Sequence, residues 1–281
     1  MGWDEITSQS AHLSLSQIAM FKRCPKQWEY RYVQGIKSPP SSSLFLGTSV
    51  HSGIEHNYAA KFKTKKQANK NEVLDAYDAA YNDAGTDLLS AVEKEKFAKS
   101  KDQGYRMVEL HYTELAPAVQ PVAAPEYEFK LKLPNVRREV VGYVDVKGTI
   151  NKSKRPFIID NKTGARKYQQ FDVDLNLQLR IYRMAEAMAH GTLENVEKYS
   201  ENGVIDAMIR NKGGVMTQRL YSLESFDINR VIDLIVKVEQ AIDAGLFWPC
   251  EDPQTRSWCG YNKLCHKAAV ERKEMMANSW D

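Results

Sequence analysis

The chain has 281 residues, of which 43% are hydrophobic, and a formal net charge of +3 at pH 7. That length suits one globular domain, which we expect to cover residues 1–281. No stretch is apolar for long enough to predict a membrane span, and the N-terminus lacks the basic start and apolar run of a secretory signal. The charge is too small to indicate a nucleic-acid partner by itself. We therefore expect a cytoplasmic protein without a membrane partner.

The first half of the chain is predicted to be helical. A capping box at Ser14 opens the first helix, and Pro25 suits the first position of the second. The predicted helices cover residues 14–23, 25–33, 46–62 and 68–116, with a break near Gly85. We interpret residues 63–120 approximately as a helical insertion in the domain.

The second half alternates strands and helices. Period-two patterns predict three strands, at Tyr127–Leu133, Glu139–Ile150 and Phe157–Asp160. A helix from Asp172 or Asp174 to about His190, a hairpin over residues 204–221 and an amphipathic helix over Phe226–Ala244 follow. This order predicts an α/β fold with a mixed central sheet that is flanked by helices.

Two acids and a lysine on adjacent predicted strands carry the strongest catalytic signal. Asp145 lies inside an apolar strand, and Asp160 ends the next one, with Lys162 two residues later. Alternation along a strand places Asp160 and Lys162 on the same face. Two carboxylates with an ammonium predict a site for Mg²⁺ or Mn²⁺ and a phosphate. By itself the triplet is also compatible with a structural Asp–Lys pair at a turn.

The neighbouring motifs decide between these interpretations through a family resemblance. The segments GYVDVKG and FIIDNKTG look like the G-hydrophobic-D and D-x-K-T-G motifs of RecB-like PD-(D/E)XK nucleases. LGTSVHSGIEH resembles the upstream helix of that family, which maps its metal-binding histidine onto His51, and QLRIY resembles the Q-x-x-x-Y helix.

The resemblance implies a restriction-endonuclease-like core and assigns roles to single residues. It makes His51, Asp145, Asp160 and the Asn161 backbone carbonyl the ligands of the metal. The implied catalytic residues are Asp145, Asp160, Lys162, Gln178 and Tyr182. Glu126 or Glu128, which start the sheet, are alternatives for one further ligand.

The four cysteines predict a second site. Cys24 precedes the predicted core, whereas Cys250, Cys259 and Cys265 follow it. Disulfides are disfavoured in the cytosol, and four thiolates suit either a [4Fe–4S] cluster or zinc. The pattern resembles the iron–sulfur subgroup with AddB-type, CRISPR-associated RecB-like and phage exonucleases, and this resemblance favours the [4Fe–4S] cluster. That subgroup has C-x2-C where this chain has Arg256 and Cys259, so Cys250 is the least regular ligand.

The function implied is a metal-dependent DNA exonuclease. We expect it to act on single-stranded DNA or duplex ends in recombination, repair or phage replication, and to associate with the nucleoid. The cluster is expected to join the first helices to a C-terminal segment at about residues 246–270. The alternatives are an endonuclease and an inactive DNA-binding subunit of a larger recombination or CRISPR-adaptation complex. A homo-oligomer or a recombination-protein partner is compatible with each of these.

Overall fold

The computed structural model describes residues 12–189, 203–223 and 227–268. The chain divides into two compact units. The smaller unit contains the residues up to Pro39, Lys132–Val140 and the residues from Ile232 onward. The larger unit contains Pro40–Leu131 and Val141–Val231. Within the described parts of the chain, no helix is both long enough and apolar enough to cross a bilayer.

The order of helices and strands along the chain is close to the order that the sequence patterns predict. Helices α1 to α10 are Leu15–Arg23, Pro25–Trp28, Ser42–Thr64, Lys70–Asn82, Ala91–Ala98, Lys101–Leu110, Gln170–Asp174, Leu177–Ala189, Ile228–Asp243 and Pro253–Ser257. Strands β1 to β8 are His12–Ser14, Val119–Pro121, Tyr127–Leu131, Glu139–Val144, Val146–Ile150, Phe157–Gly164, Gly203–Asn211 and Gly214–Tyr221. π-helical turns extend α2 over Glu29–Val33 and α6 over His111–Leu115.

The larger unit is built on a five-stranded sheet with the order β2-β5-β6-β7-β8. β6 and β7 pair in parallel, and the other neighbours in this sheet are antiparallel. Seven consecutive residues of β7, Gly203–Ile209, are buried. A strand that is buried on both faces lies between two layers of side chains. The predicted α/β class with a mixed sheet flanked by helices is therefore confirmed.

Helices from the predicted insertion form one of these layers. Val50 and Tyr58 of α3, Tyr77 of α4 and Met107 of α6 share a hydrophobic core with the sheet residues Ile159, Val204 and Met208. Helix α8 contacts β6 and β7. The helical segment between residues 70 and 115 thus supplies core side chains that cover the sheet.

The structure differs from the predicted strands at Asp145 and Asp160. The predicted strand Glu139–Ile150 bends at Asp145, so β4 lies beside β3 in a small sheet and β5 joins the five-stranded sheet. The Asp145 carbonyl accepts a hydrogen bond from the Glu126 amide (3.1 Å), outside the main sheet. β6 continues past Asp160 to Gly164 because its parallel pairing with β7 runs that far.

The predicted helix from Asp172 or Asp174 to about His190 is two helices. They are separated at Leu175 and Asn176, and the Asn176 side chain accepts a hydrogen bond from the Leu179 amide (3.0 Å), which caps α8. The predicted ends of two helices at His190 and Phe226, and the last residues of the 246–270 segment, lie outside the described residues.

Candidate active site

The D-x-K motif lies within β6, with its charged side chains on the face that meets α8. Lys162 Nζ donates hydrogen bonds to Asp160 Oδ1 (2.8 Å) and to Gln178 Oε1 (3.0 Å). Gln178 Nε2 in turn donates to the Tyr182 hydroxyl (2.5 Å), one helical turn further along α8. The structure therefore brings the predicted residues Asp160, Lys162, Gln178 and Tyr182 into one hydrogen-bonded chain.

Asp145 reaches this site because β5 ends there. The last paired residues of β5 and β6 are Val146 and Ile159, so Asp145 stands at the next position, opposite Asp160. Its carboxylate Oδ2 accepts a hydrogen bond from the Asn161 amide (2.7 Å) and thus replaces the missing strand partner. In a strand, the amide and carbonyl of one residue point to the same edge. The Asn161 carbonyl therefore also faces the side where the neighbouring strand has left, as expected for a metal ligand.

His51 and Glu126 complete a possible metal site. One ligand atom from each of His51, Glu126 and Asp145 lies within 4.8 Å of the others. His51 Nδ1 is 3.8 Å from Asp145 Oδ2. Glu126 has a positive φ of 53°, a conformation that non-glycine residues rarely adopt and that concentrates at functional sites. Oxygen donors with one imidazole fit the ligand preferences of Mg²⁺ and Mn²⁺.

Burial and mutual repulsion keep the acids of the site easily protonated. Burial raises the pKa of Asp160 to about 6; the charge of Lys162 opposes this shift and that of Asp145 adds to it. Burial also raises the pKa of Asp145, against the effect of Lys162 and of the Asn161 amide. For Glu126, burial and the neighbouring Asp145 raise the pKa to about 7. A divalent cation would relieve this repulsion between the carboxylates.

The basic residues of the site have distinct charge states. Burial lowers the pKa of His51, and so does the charge of Lys162, which favours the neutral imidazole that binds metals. Burial alone would lower the pKa of Lys162, but Asp160 and Asp145 outweigh it and the pKa is raised. Lys162 is consequently an ammonium at neutral pH, suited to neutralising charge on a phosphate.

These pKa values predict proton competition for the metal. As the pH falls through about 7 and then about 6, Glu126 and Asp160 take up protons that a metal must displace. We expect the affinity for Mn²⁺ to fall by up to about tenfold per pH unit for each displaced proton. Titration of free Mn²⁺ by electron paramagnetic resonance between about pH 8 and about pH 5.5 measures this. An affinity that does not change over this interval would contradict the assignment of these acids as ligands.

Glu126 can be tested apart from the motif residues. We expect Glu126→Gln to weaken Mn²⁺ binding about tenfold or more, because a donor within 4.8 Å of His51 and Asp145 loses its charge. Glu128→Gln is the matched control, since the Glu128 side chain is exposed and lies 3.7 Å from Lys130. Isothermal titration with Mn²⁺ compares the two. Equal affinities would remove Glu126 from the site.

The four cysteines line one pocket of the smaller unit. The residues that line it are Cys24, Gln27, Pro249, Cys250, Thr255, Arg256, Cys259, Asn262 and Cys265. None of the four cysteines forms a disulfide. Two sulfur atoms accept hydrogen bonds, Cys259 Sγ from Gln27 Nε2 (2.8 Å) and Cys24 Sγ from the Cys250 amide (3.3 Å). Four thiols around one pocket, with N–H donors to their sulfurs, fit a metal or cluster that thiolates hold.

The family follows from comparison with known proteins. A sequence model of the PD-(D/E)XK nuclease superfamily matches residues 12–266. The chain belongs to this superfamily. The matched range includes the D-x-K motif of β6, and nucleases of this superfamily act on DNA and usually require a divalent metal.

Two relatives of this PD-(D/E)XK nuclease extend over most of its length. The Gene 69 protein of Mycobacterium phage L5 is 23% identical, over 90% of this chain and 95% of its own. The crystal structure of a protein from Eubacterium rectale, named as a candidate exonuclease, matches with a TM-score of 0.50 and 12% identity over 90% of each chain. At that identity the structural likeness shows the fold alone.

Sequence reasoning left Glu126 and Glu128 as alternatives, and the structure separates them. Glu126 stands beside His51 and Asp145, whereas Glu128 lies beside Lys130 on the strand that follows. From the sequence alone, period-two alternation would place residues 126 and 128 on the same face of a strand. The turn at Glu126, which has a positive φ, separates the two acids. No sequence pattern predicts this turn.

Proposed function

We propose that the protein is a metal-dependent DNA exonuclease of the RecB-like group that cleaves phosphodiester bonds from strand ends. The observation that carries this proposal is the meeting of Asp145, Asp160 and Lys162 at the point where β5 leaves β6. His51 and the Asn161 carbonyl supply the remaining predicted ligands. When bound, Mg²⁺ or Mn²⁺ supplies positive charge to the phosphate and makes water more acidic.

The protein's own residues orient Lys162 and neutralise negative charge on the phosphate. Lys162 presents a charged ammonium toward the phosphate, and Asp160 and Gln178 fix its direction through two hydrogen bonds. The Tyr182 hydroxyl, which accepts a hydrogen bond from Gln178, holds that amide in turn. Burial raises the pKa of Tyr182 well above its usual value, so it stays a neutral hydroxyl. Positioned donors that need no reorganisation lower the barrier of phosphoryl transfer.

Matched linear and circular single strands test the exonuclease proposal. With Mg²⁺ or Mn²⁺, we expect a linear oligonucleotide to be degraded from an end, whereas the same sequence ligated into a circle stays intact. Cleavage of the circle would instead support the alternative of an endonuclease. Without cleavage of either substrate, the alternative of an inactive DNA-binding subunit would be favoured.

We further propose that Cys24, Cys250, Cys259 and Cys265 bind a [4Fe–4S] cluster. Support comes from their shared pocket and from the resemblance to the iron–sulfur subgroup. The cluster would link segments more than two hundred residues apart in sequence, as the hydrogen bond between Cys250 and Cys24 already does across a separation of 226. Linking such distant segments stabilises a fold by restricting the unfolded chain.

Metal analysis after anaerobic purification tests the cluster. We expect a brown protein with about four irons per chain, and Cys24→Ser should lose most of this iron. Ser257→Ala, at the end of α10 in the same segment, is the matched control because its side chain does not line the pocket. A colourless protein with about one zinc would replace the cluster with a tetrahedral zinc site.

We propose that both units form one nuclease domain, since the family match runs through both from residue 12 to residue 266. The segments at about 63–120 and 246–270 would be its helical insertion and its cluster-binding part. Recombination, repair or phage replication, in the cytoplasm and at the nucleoid, is the setting we infer. A homo-oligomer or a recombination-protein partner stays within this proposal.

A further inference from the structure

The loop between β6 and α7, residues 165–169, directly follows the catalytic motif and contains Arg166, Lys167 and Tyr168. Arg166 and Lys167 are exposed, and Tyr168 is half-buried. We propose that this loop binds the DNA strand beside the scissile phosphate, with the Tyr168 ring stacked on a base. The inference deepens the nuclease function proposed above and rests on it.

The backbone of the loop is fixed at Tyr168. The Tyr168 amide donates to Gln218 Oε1 (2.9 Å), and Gln218 Nε2 donates to the Tyr168 carbonyl (2.9 Å). One side chain of β8 therefore binds both the backbone N–H and the backbone carbonyl of Tyr168, as a neighbouring strand would. A residue that is fixed in this way loses little conformational entropy when a ligand binds to it.

Arg166 covers one face of the Tyr168 ring, so the opposite face is the one left for a base. The Arg166 guanidinium lies 5.9 Å from the ring centroid, a cation–π distance. Two hydrogen bonds to the Asp172 carboxylate (2.9 and 3.1 Å) fix that guanidinium. Asp172 is itself fixed by the Gln169 amide (2.8 Å) at the start of α7. A basic and aromatic loop on the surface is thus ordered before any ligand arrives.

Tyr168 follows Lys162 by six residues in the chain, and the charges of the catalytic residues act on its hydroxyl. Burial raises the pKa of Tyr168, the charge of Lys162 lowers it and the charge of Asp160 raises it. Tyr168 in turn contributes to the raised pKa of Lys162. The hydroxyl end of the ring is therefore within electrostatic range of the groups that would contact the phosphate.

Two aromatic residues and one lysine that precede the site in the sequence are buried and therefore not available to DNA. Trp28 and Tyr30 are 3% and 4% exposed, so their rings pack in the core of the smaller unit. Lys61 is also buried, and its ammonium donates to the Ala116 carbonyl (2.5 Å). The loop at Tyr168 offers a ring and two basic side chains that a nucleotide beside Lys162 could reach.

Oligonucleotides that lack single bases test the stacking. Affinity for a labelled single strand is measured by fluorescence anisotropy without added divalent metal, so that no cleavage is needed. We expect Tyr168→Ala to raise the Kd about tenfold or more, the order expected from loss of one base stack. Tyr168→Phe keeps the ring and should weaken binding far less. Tyr105→Ala removes an exposed tyrosine from α6 and is the matched control.

The position of the missing base gives the decisive comparison. In a set of strands with one abasic site each, at least one site should weaken binding of the wild-type protein and leave Tyr168→Ala binding unchanged. Such non-additivity identifies a direct contact. The inference is wrong if Tyr168→Ala binds the strands like the wild type. It is also wrong if Tyr168→Ala weakens the binding of every abasic strand by the same factor. Loss of thermal stability in Tyr168→Ala together with unchanged Kd would also overturn it and assign the ring to packing.

Binding and cleavage, measured on the same proteins, separate this inference from the function on which it rests. If the wild type binds strands with the expected abasic pattern and cleaves none of them in Mg²⁺ or Mn²⁺, the loop is confirmed and the nuclease proposal is wrong. If the wild type cleaves and Tyr168→Ala changes neither Kd nor KM, the nuclease proposal stands and the loop is not the binding element.

Discussion

Replacing Asp160 by asparagine is expected to lower metal-dependent cleavage by about a thousandfold or more. Asp160 is 1% exposed, accepts a hydrogen bond from Lys162 and stands opposite Asp145, so we expect its charge to act on both the metal and the lysine. Loss of several kcal/mol of charge stabilisation in the transition state corresponds to such a factor, at about 1.4 kcal/mol for each tenfold. Single-turnover cleavage of a labelled linear strand in Mg²⁺ measures the rate.

The fold of this variant should survive, because asparagine has nearly the shape of aspartate and Lys162 keeps its hydrogen bond to Gln178 and the charge of Asp145 nearby. Its thermal unfolding should therefore lie close to that of the wild type. Residual cleavage within tenfold of the wild type would mean that the D-x-K motif is not the catalytic centre. A large drop in unfolding temperature would show that Asp160 is also needed for folding.

Asp206→Asn is expected to have the opposite pattern, a large loss of stability with cleavage retained. Asp206 lies on the adjacent strand β7 and is fully buried, with its carboxylate hydrogen-bonded by Arg219 Nε (2.6 Å). Removing one charge of a buried pair leaves the other without compensation, which costs about 3–5 kcal/mol. Chemical denaturation followed by circular dichroism measures the free energy of unfolding.

A double variant separates the loss of the ion pair from the effect of leaving one buried charge unpaired. Asp206→Leu with Arg219→Met removes both charges and should be more stable than Asp206→Asn, since no buried charge remains unpaired. Cleavage by Asp206→Asn, measured well below its unfolding temperature, should stay within a few-fold of the wild type. A stability close to that of the wild type in Asp206→Asn would mean that Arg219 finds other partners, of which the Leu115 carbonyl (3.0 Å) is one.

Local pattern, together with the family resemblance, pointed to the residues that the structure brings together at the D-x-K motif. Alternation along β6 puts Asp160 and Lys162 on one face, and the helical spacing of Gln178 and Tyr182 puts both on one side of α8; the structure has the four in one hydrogen-bonded chain. The α/β class followed from the order of periodicities in the same way. These properties depend on neighbours in sequence, which a pattern records directly.

Properties that depend on distant partners could not be predicted. The bend at Asp145 arises because β4 and β5 pair with different strands, and the continuous apolar pattern of residues 139–150 carries no sign of it. Lys61 begins the basic run Lys61–Lys70, a pattern typical of a solvent-exposed face, yet its ammonium is buried against a carbonyl. Whether a charged side chain is exposed is decided by tertiary packing, since its stem is apolar enough to be buried.

Asn161 lies between Asp160 and Lys162 in the motif. Its main chain faces the active site, whereas its side chain lies on the opposite face of the sheet. The main-chain amide of Asn161 holds the carboxylate of Asp145, but its side chain points into the opposite layer, beside Asp206 in the strand register. There burial lowers the pKa of His111 to about 3, and the Asn161 side chain opposes this shift. The Tyr58 hydroxyl lies 3.3 Å from Nε2 of this neutral imidazole.

The position that the motif leaves open to any amino acid is thus restricted in this chain by the helical layer behind the sheet. We therefore expect Asn161, His111 and Asp206 to be substituted together in evolution. Packing against the helical layer, and not the chemistry of the active site, would limit these substitutions. An enzyme engineer who grafts this site onto another scaffold would have to carry the polar residues behind the sheet along with the catalytic ones.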